Sequence, residues 1–200
     1  MRWQGLEIGG VSPEVLAEGD ARRFHTFKLS GTGPRATDPV RDAALRAAFV
    51  ADAKIDAEHA ASRRAMAATL ARLGAVEVAA PVTLDLDVLR HRMSVFTTVP
   101  RADATAVDCL RAVFPSGAWP VDEGLAVRAA VEAEPRGPYY GLAGVVEPSG
   151  VFSFAQVLRA VFRDGRGPCA WVGAAFTAGS TAAGELADTR MKLASIRVAG

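Results

Sequence analysis

The sequence predicts an α+β fold with a largely antiparallel sheet. Three observations carry this. Three strand-like runs near the C-terminus, 139–147, 151–163 and 167–177, are joined by Pro148-Ser149-Gly150 and Asp164-Gly165-Arg166-Gly167, which is hairpin turn chemistry. A long helical region lies ahead of them, opened by Asp38-Pro39 as N-cap and N1 and closed by Gly74. A last helix, about 182–197 with Ser180 or Thr181 as cap, follows the hairpins. Helices set among hairpin-linked strands, without a regular strand-helix alternation, belong to α+β rather than to a doubly wound sheet.

In chain order, 3–9 and 23–29 alternate as strands, with turns at Gly9-Gly10 and Glu18-Gly19-Asp20. Ser30-Gly31-Thr32-Gly33-Pro34-Arg35 reads as a glycine-rich loop. The long helix runs to about Leu73, with a break near Ala51. Strands are expected over 75–82 and 86–98, an amphipathic helix over 103–113 starting at Asp103, and a short helix over 124–134 ending before Pro135. No internal repeat, low-complexity segment or linker divides the chain, so one domain over 1–200 is expected.

With 200 residues, half of them apolar, the chain can bury a core of its own. A net charge of +1 and the lack of any basic run give no electrostatic case for nucleic acid or a membrane surface as partner. Met1 to Val11 lacks the apolar core of a signal peptide and no stretch is long enough to span a bilayer, so a cytoplasmic location is expected. Cys109 and Cys169 sit among apolar residues and read as buried, reduced thiols.

The last helix holds the most informative side chains. Glu185, Asp188 and Lys192 lie at i, i+3 and i+7, within about 60° of one another around the helix. Carboxylates beside an ammonium can hold a hard cation and an anion together, and oxygen-only ligation suits Mg²⁺. The same spacing also serves an ordinary solvated face with ion pairs. On the long helix Lys54 and Glu58 form an i, i+4 pair, and Glu58 could add a third oxygen to such a cation. His91 interrupts a strand as Arg90-His91-Arg92-Met93-Ser94, a setting where histidine is a hydrogen-bonded scaffold residue or an acid–base group. Tyr139 could offer a hydroxyl to a ligand. Arg159 breaks the apolar run Val157-Leu158-Arg159-Ala160-Val161-Phe162, and an arginine in such a strand calls for an anionic partner, a carboxylate above all. Gly173-Ala174-Ala175 at the next strand's end could turn backbone N–H groups toward an anion.

Taken in order, these segments resemble the chorismate-utilising enzymes: anthranilate, aminodeoxychorismate, isochorismate and salicylate synthases. Ser12-Pro13-Glu14 resembles the family's "SPE" entry, and Leu29 to Arg35 its "AGTxxR" loop. Lys54-x-x-x-Glu58-His59 resembles "KExxEH", and His91-x-x-Ser94 resembles "HLxS". Arg136-Gly137-x-Tyr139-x-Gly141 matches "RGxYxG", Val157-Leu158-Arg159 matches "xIR", and Gly173-Ala174-Ala175-Phe176 stands where the family has "GAGI". Glu185-x-x-Asp188-Thr189-x-x-Lys192 is similar to the closing "ExxExxxK". The resemblance covers roughly residues 12–200.

That resemblance implies Glu58, Glu185 and Asp188 as Mg²⁺ ligands, and Arg159, Tyr139 and Lys192 as clamps on the carboxylates of a chorismate-like dicarboxylate, with Gly173 giving backbone N–H groups. It places His91 at the ring, polarising a leaving hydroxyl or forming the wall. The chain also departs from the pattern. Family members run to about twice this length, so the sequence reads as a truncated C-terminal half. The "TGxPK" loop is replaced by Ala118-Trp119-Pro120-Val121-Asp122-Glu123, Ile55 replaces an acid, and Ala175 replaces the second glycine of "GAG". No base for nucleophile addition is visible. The expected function is therefore Mg²⁺-dependent binding and conversion, of lyase or isomerase type, of chorismate or a similar dicarboxylate. The alternative is a non-catalytic member that binds a ligand or a partner subunit. A homodimer or a second subunit is expected, because the strands at 139–177 carry apolar residues on both faces.

Overall fold

A computed structural model describes residues 2, 3, 5–115, 120–165 and 167–196. The replaced loop residues Ala118 and Trp119, the turn residue Arg166 and the last expected helical residue at 197 lie outside the described residues.

Two antiparallel sheets organise the chain. The smaller contains β1 (Arg2–Trp3), β2 (Leu6–Gly10), β10 (Ala160–Asp164) and β11 (Gly167–Ala170), in that order. The larger runs β5 (Gly74–Val78), β7 (Leu89–Pro100), β4 (Phe24–Pro34), β3 (Val15–Gly19), β9 (Phe152–Gln156) and β8 (Leu142–Val146), with β6 (Val82–Asp85) also paired to β7. Helices α1 (Pro39–Val50), α2 (Ala53–Ala71), α3 (Ala106–Val113), α4 (Val121–Val131) and α5 (Ala182–Ala194) complete the described elements.

The helix ends follow local chemistry. Asp38 caps α1 by accepting from the Arg41 N–H, and the break expected near Ala51 is there because Asp52 starts α2, accepting from the Lys54 and Ile55 N–H groups. The expected start of α3 at Asp103 is corrected: Thr105 is the cap, in a reciprocal box with Asp108, so the helix begins at Ala106. Helix α4 likewise starts earlier than expected, behind Pro120, and α5 is capped by Thr181.

Two strand expectations change. Residues 30–34 are not a free loop but the end of β4: Thr32, Gly33 and Pro34 pair with His91, Arg90 and Leu89 across a register shift at Gly31. A β-bulge there keeps the ladder while inserting one glycine at φ 65°. The run 151–163 is two strands in two sheets. Arg159, at φ 49°, turns the chain from β9 into β10, and a Cβ at Gly10 would stand 2.6 Å from the Arg159 carbonyl oxygen, so β2 reaches this crossing only with glycine. The strand expected to reach 177 ends at Ala170, and Cys169 is exposed on β11, the end strand of the smaller sheet, rather than buried.

The main core lies between the large sheet and helices α2 and α3. Leu16, Phe24, Phe96 and Phe152 meet Met66, Leu70, Leu73, Cys109 and Val113. A second cluster, Val157, Ala160 and Phe162 with Leu6, Ile8, Tyr139 and Trp171 around it, forms under the small sheet. Each fully buried aliphatic or phenylalanine side chain contributes about 1.5–3 kcal/mol, so the first cluster anchors α2 to the sheet. That anchoring decides where the polar N-terminal half of α2 lies.

Candidate active site

Helix α2 brings Lys54, Glu58 and His59 to the bulged end of β4, and α5 lays Glu185, Asp188 and Lys192 across from them. Lys54 Nζ donates to Glu185 Oε1 at 2.9 Å, joining the two helices. The i, i+4 surface pair expected between Lys54 and Glu58 is thus secondary to a bridge between elements. Lys192 Nζ pairs with Asp188 Oδ2 at 2.5 Å and donates to the Gly173 carbonyl oxygen at 3.1 Å. Gly173 therefore sits in an irregular stretch after β11, its peptide oxygen held by α5. A Cβ there would stand 3.1 Å from the Tyr139 hydroxyl, which makes the position tight for anything larger.

The carboxylates differ in setting. A hydrogen bond from the Ser180 side chain, aided by Lys54, holds Glu185 below the ordinary carboxylate range. Burial pushes Glu58 above it, and the neighbouring Glu185 adds to that, against the Gly31 N–H bond and the Lys54 and Lys192 charges. Glu58 and Glu185 thus feel each other, and Asp188 acts on Lys54. The three expected ligands face one region. Among the described residues, however, no group of three or more His, Cys, Asp or Glu side chains is arranged to hold a metal ion. Glu185 and Asp188 are closed onto lysines, so a divalent ion would have to take Lys54's place on Glu185. The donor chemistry, three carboxylates, fits a hard cation.

His91 leaves the sheet on β7 and is buried. Its Nδ1 donates to the Gly31 carbonyl oxygen at 2.9 Å, while Nε2 has no hydrogen-bond partner among the described residues. The ring is therefore a neutral acceptor at Nε2. Burial depresses its pKa, with Arg159 and Lys192 adding to the effect and Asp188 opposing it. Those same charges show that His91, Arg159, Lys192 and Asp188 share one neighbourhood.

Arg159 is half-buried at the turn between the sheets, not within a strand as expected. No described acid closes an ion pair with it; burial disfavours its charge, and Asp188 and Tyr139 are the groups that sustain it. Tyr139 stacks on Trp171 with ring centroids 6.4 Å apart, and Arg136 lies over both Tyr139 and Tyr140 at 5.8 and 5.6 Å while paired to Glu132. Burial raises the Tyr139 pKa, so the hydroxyl stays protonated. Every residue singled out for a site, Glu58, His91, Tyr139, Arg159, Gly173, Glu185, Asp188 and Lys192, is brought to this one end of the molecule.

Sequence reasoning missed a buried charged pair on the strands leading here. Glu14 and Lys28 are both buried, 3.8 Å apart, and burial raises Glu14 against the Lys28 charge. The "SPE" segment pointed to Glu14 without assigning it a part.

A family model for chorismate binding enzymes matches residues 1–198. The chain belongs to that family. Anthranilate synthase component 1 of Aeropyrum pernix is 34% identical over 98% of this chain and 47% of its own length. The same component of Streptomyces coelicolor is 34% identical over 94% of this chain and 38% of its own length. The solved structure of MenF, the menaquinone-specific isochorismate synthase from Escherichia coli, superposes with a TM-score of 0.86 at 24% identity, covering 96% of this chain and 46% of that one. That likeness establishes the shared fold. The chain spans less than half the length of these relatives.

Proposed function

We propose that this end of the molecule binds chorismate or a closely similar dicarboxylate and converts it by lyase- or isomerase-type chemistry. Arg159, Tyr139 and Lys192 grip the carboxylates, the Gly173 backbone lies beside them, and His91 receives the ring. The observation that carries the reading is Arg159: a half-buried guanidinium with no acid paired to it among the described residues, near Lys192, His91 and a tyrosine hydroxyl, is a place made for an anion. Mg²⁺ would be held by Glu58, Glu185 and Asp188, where it would neutralise charge on the ligand; Lys54 yields Glu185 to it. His91 accepts a hydrogen bond from a ligand hydroxyl through Nε2. Loss of pyruvate from an isochorismate-like ether asks mainly for the reactive conformation and electrostatic support, both of which a clamp of this kind supplies.

A second reading is a non-catalytic member, a binding or partner subunit. One observation favours it: Lys54 and Lys192 pair with Glu185 and Asp188, so a divalent ion would have to displace ammonium groups to reach these carboxylates. In either case a further chain is expected, as a second copy or a second subunit. The sheet ends at β8, where Val145 and Val146 are exposed, and the Aeropyrum and Streptomyces relatives are each named as one component of an enzyme. No helix among the described residues is long and apolar enough to cross a membrane.

The test is incubation of the protein and Mg²⁺ with chorismate and, separately, with isochorismate, followed by detection of pyruvate, salicylate or isochorismate. Product formation supports the catalytic reading. Binding without product supports the second, and neither binding nor product rejects the first and leaves only the partner-subunit form of the second.

A further inference from the structure

His59 takes no part in the ligand grip described above, yet it is the most completely engaged polar side chain near it. It is 2% exposed, next to Glu58 on α2, and both ring nitrogens are used: Nδ1 with the Ser30 hydroxyl at 2.6 Å and Nε2 with the Ser94 hydroxyl at 2.8 Å. Ser30 is on β4 and Ser94 on β7, so one imidazole ties the helix to two adjacent strands. The tie falls where the β4–β7 register shifts, between Ser30 and Thr32. Bulges weaken a ladder locally, and a residue at φ 65° is not held by strand geometry alone.

The bulged residue is Gly31, and its peptide groups reach two site residues. Its N–H acts on the Glu58 carboxylate, favouring the charged form, and its carbonyl oxygen accepts from His91 Nδ1 at 2.9 Å. Ile55 of α2 seals the other side, since a Cβ on Gly31 would lie 2.6 Å from Ile55 Cγ2. Beyond the bulge the ladder resumes at Thr32, which pairs with His91 and brings its hydroxyl to 3.4 Å from His91 Nδ1; ahead of it stands Ser30, whose side chain is held by His59. A carbonyl at His91 Nδ1 is what leaves Nε2 as the acceptor.

We propose that His59 is a positioning residue: through Ser30 and Ser94 it locks the Gly31 bulge, and the locked peptide sets both the tautomer of His91 and the place of Glu58. The ligand group facing His91 is then a hydrogen-bond donor, a hydroxyl in the dicarboxylate class proposed above, and an ether or carbonyl oxygen at that point is rejected. The inference rests on the reading that His91 and Glu58 face the ligand.

Long-range proton–nitrogen NMR of the three histidines in the ligand-free protein tests it, with His91→Asn assigning the His91 signals. The expected result is a single Nδ1–H tautomer for His91 in the wild type. It becomes a mixture of both tautomers in His59→Phe, which keeps the ring volume, and in Ser30→Ala, which removes one hydroxyl. His59→Gln, able to bond one serine, restores part of the single form. Met66→Ala, a core truncation on the same helix away from the bulge, loses stability and leaves the His91 signals unchanged. If His59→Phe does not fold, Ser30→Ala decides. An Nδ1–H tautomer that persists in Ser30→Ala, an Nε2–H tautomer in the wild type, or an equal change in Met66→Ala overturns the proposal. Because no ligand is present, this outcome is separate from whether chorismate binds.

Discussion

The two ends of α2 meet the same pair of strands and do opposite work. At the C-terminal end, Met66 and Leu70 press on Phe24 and Phe96, and the polar side chains buried beside them are Thr98 and Thr26, their partners across β4 and β7. At the N-terminal end, Lys54, Glu58 and His59 meet Gly31 and Ser94 on the same β4 and β7, and contacts there are bridges and hydrogen bonds. The first end is stable because apolar area leaves water; the second is ordered because Lys54, His59, Glu185 and Lys192 each have a defined partner. The difference shows how one helix laid on two adjacent strands can carry a site. The apolar end supplies the free energy, so the polar end can keep a half-buried arginine and an unpartnered histidine nitrogen that would be costly in a fold without such an anchor.

Truncation in the apolar end should have the largest effect. Phe96→Ala is expected to cost about 3–5 kcal/mol of folding stability in denaturant titration, and to change ligand affinity only through the unfolded fraction. A much smaller loss would mean that α2 is anchored elsewhere. At the polar end Arg159→Met should reverse the pattern. Ligand affinity should fall by about 2–5 kcal/mol while folding stability is kept or improved, since an incompletely paired buried charge is removed.

Between about pH 6.5 and 4, acid should act first on the histidines of the polar end. Burial holds His59 at a pKa of about 4, below the ordinary 6.5, so the unfolded chain takes up a proton first. The stability this neutral ring contributes is complete above about pH 6.5 and is lost as pH falls toward 4, amounting to about 3 kcal/mol. His91, depressed in the same direction, adds to the loss. Denaturant midpoints across this range in wild type and His59→Phe measure it, and the variant should show the shallower slope. Lys54→Met should have the smallest effect on folding, within about 1 kcal/mol, because Lys54 is 44% exposed. It should raise the affinity for Mn²⁺, read by electron paramagnetic resonance, because Glu185 is uncovered. Unchanged Mn²⁺ binding would remove Lys54 from the account of the cation site.

Much of this was legible in the sequence, and the failures have physical causes. Asp38-Pro39 and the one-face spacing of Glu185, Asp188 and Lys192 are local signals, and the structure keeps them. The bulged end of β4 read as a loop because glycine and proline are depleted in strands, and only the pairing partner on β7 shows the ladder continuing. The division of 151–163 was hidden because Val157, Leu158 and Ala160 stay apolar on both sides of the turn, each half being buried in its own cluster; a positive φ at an arginine leaves no mark in composition. Cys169 was misplaced because local hydropathy cannot tell an end strand from an inner one. The residues proposed for the site were singled out through their order along the chain. The contacts that place them, Gly31 with Glu58 and His91, and Lys54 with Glu185, are tertiary and were not foreseen.

The most direct test of the central claim is calorimetric titration of chorismate into the wild-type protein and into Arg159→Met, each with and without Mg²⁺. The account predicts saturable binding at one site per chain, strengthened by Mg²⁺ and lost or greatly weakened in Arg159→Met. No binding by the wild type under either condition, or equal binding by the folded variant, would contradict it.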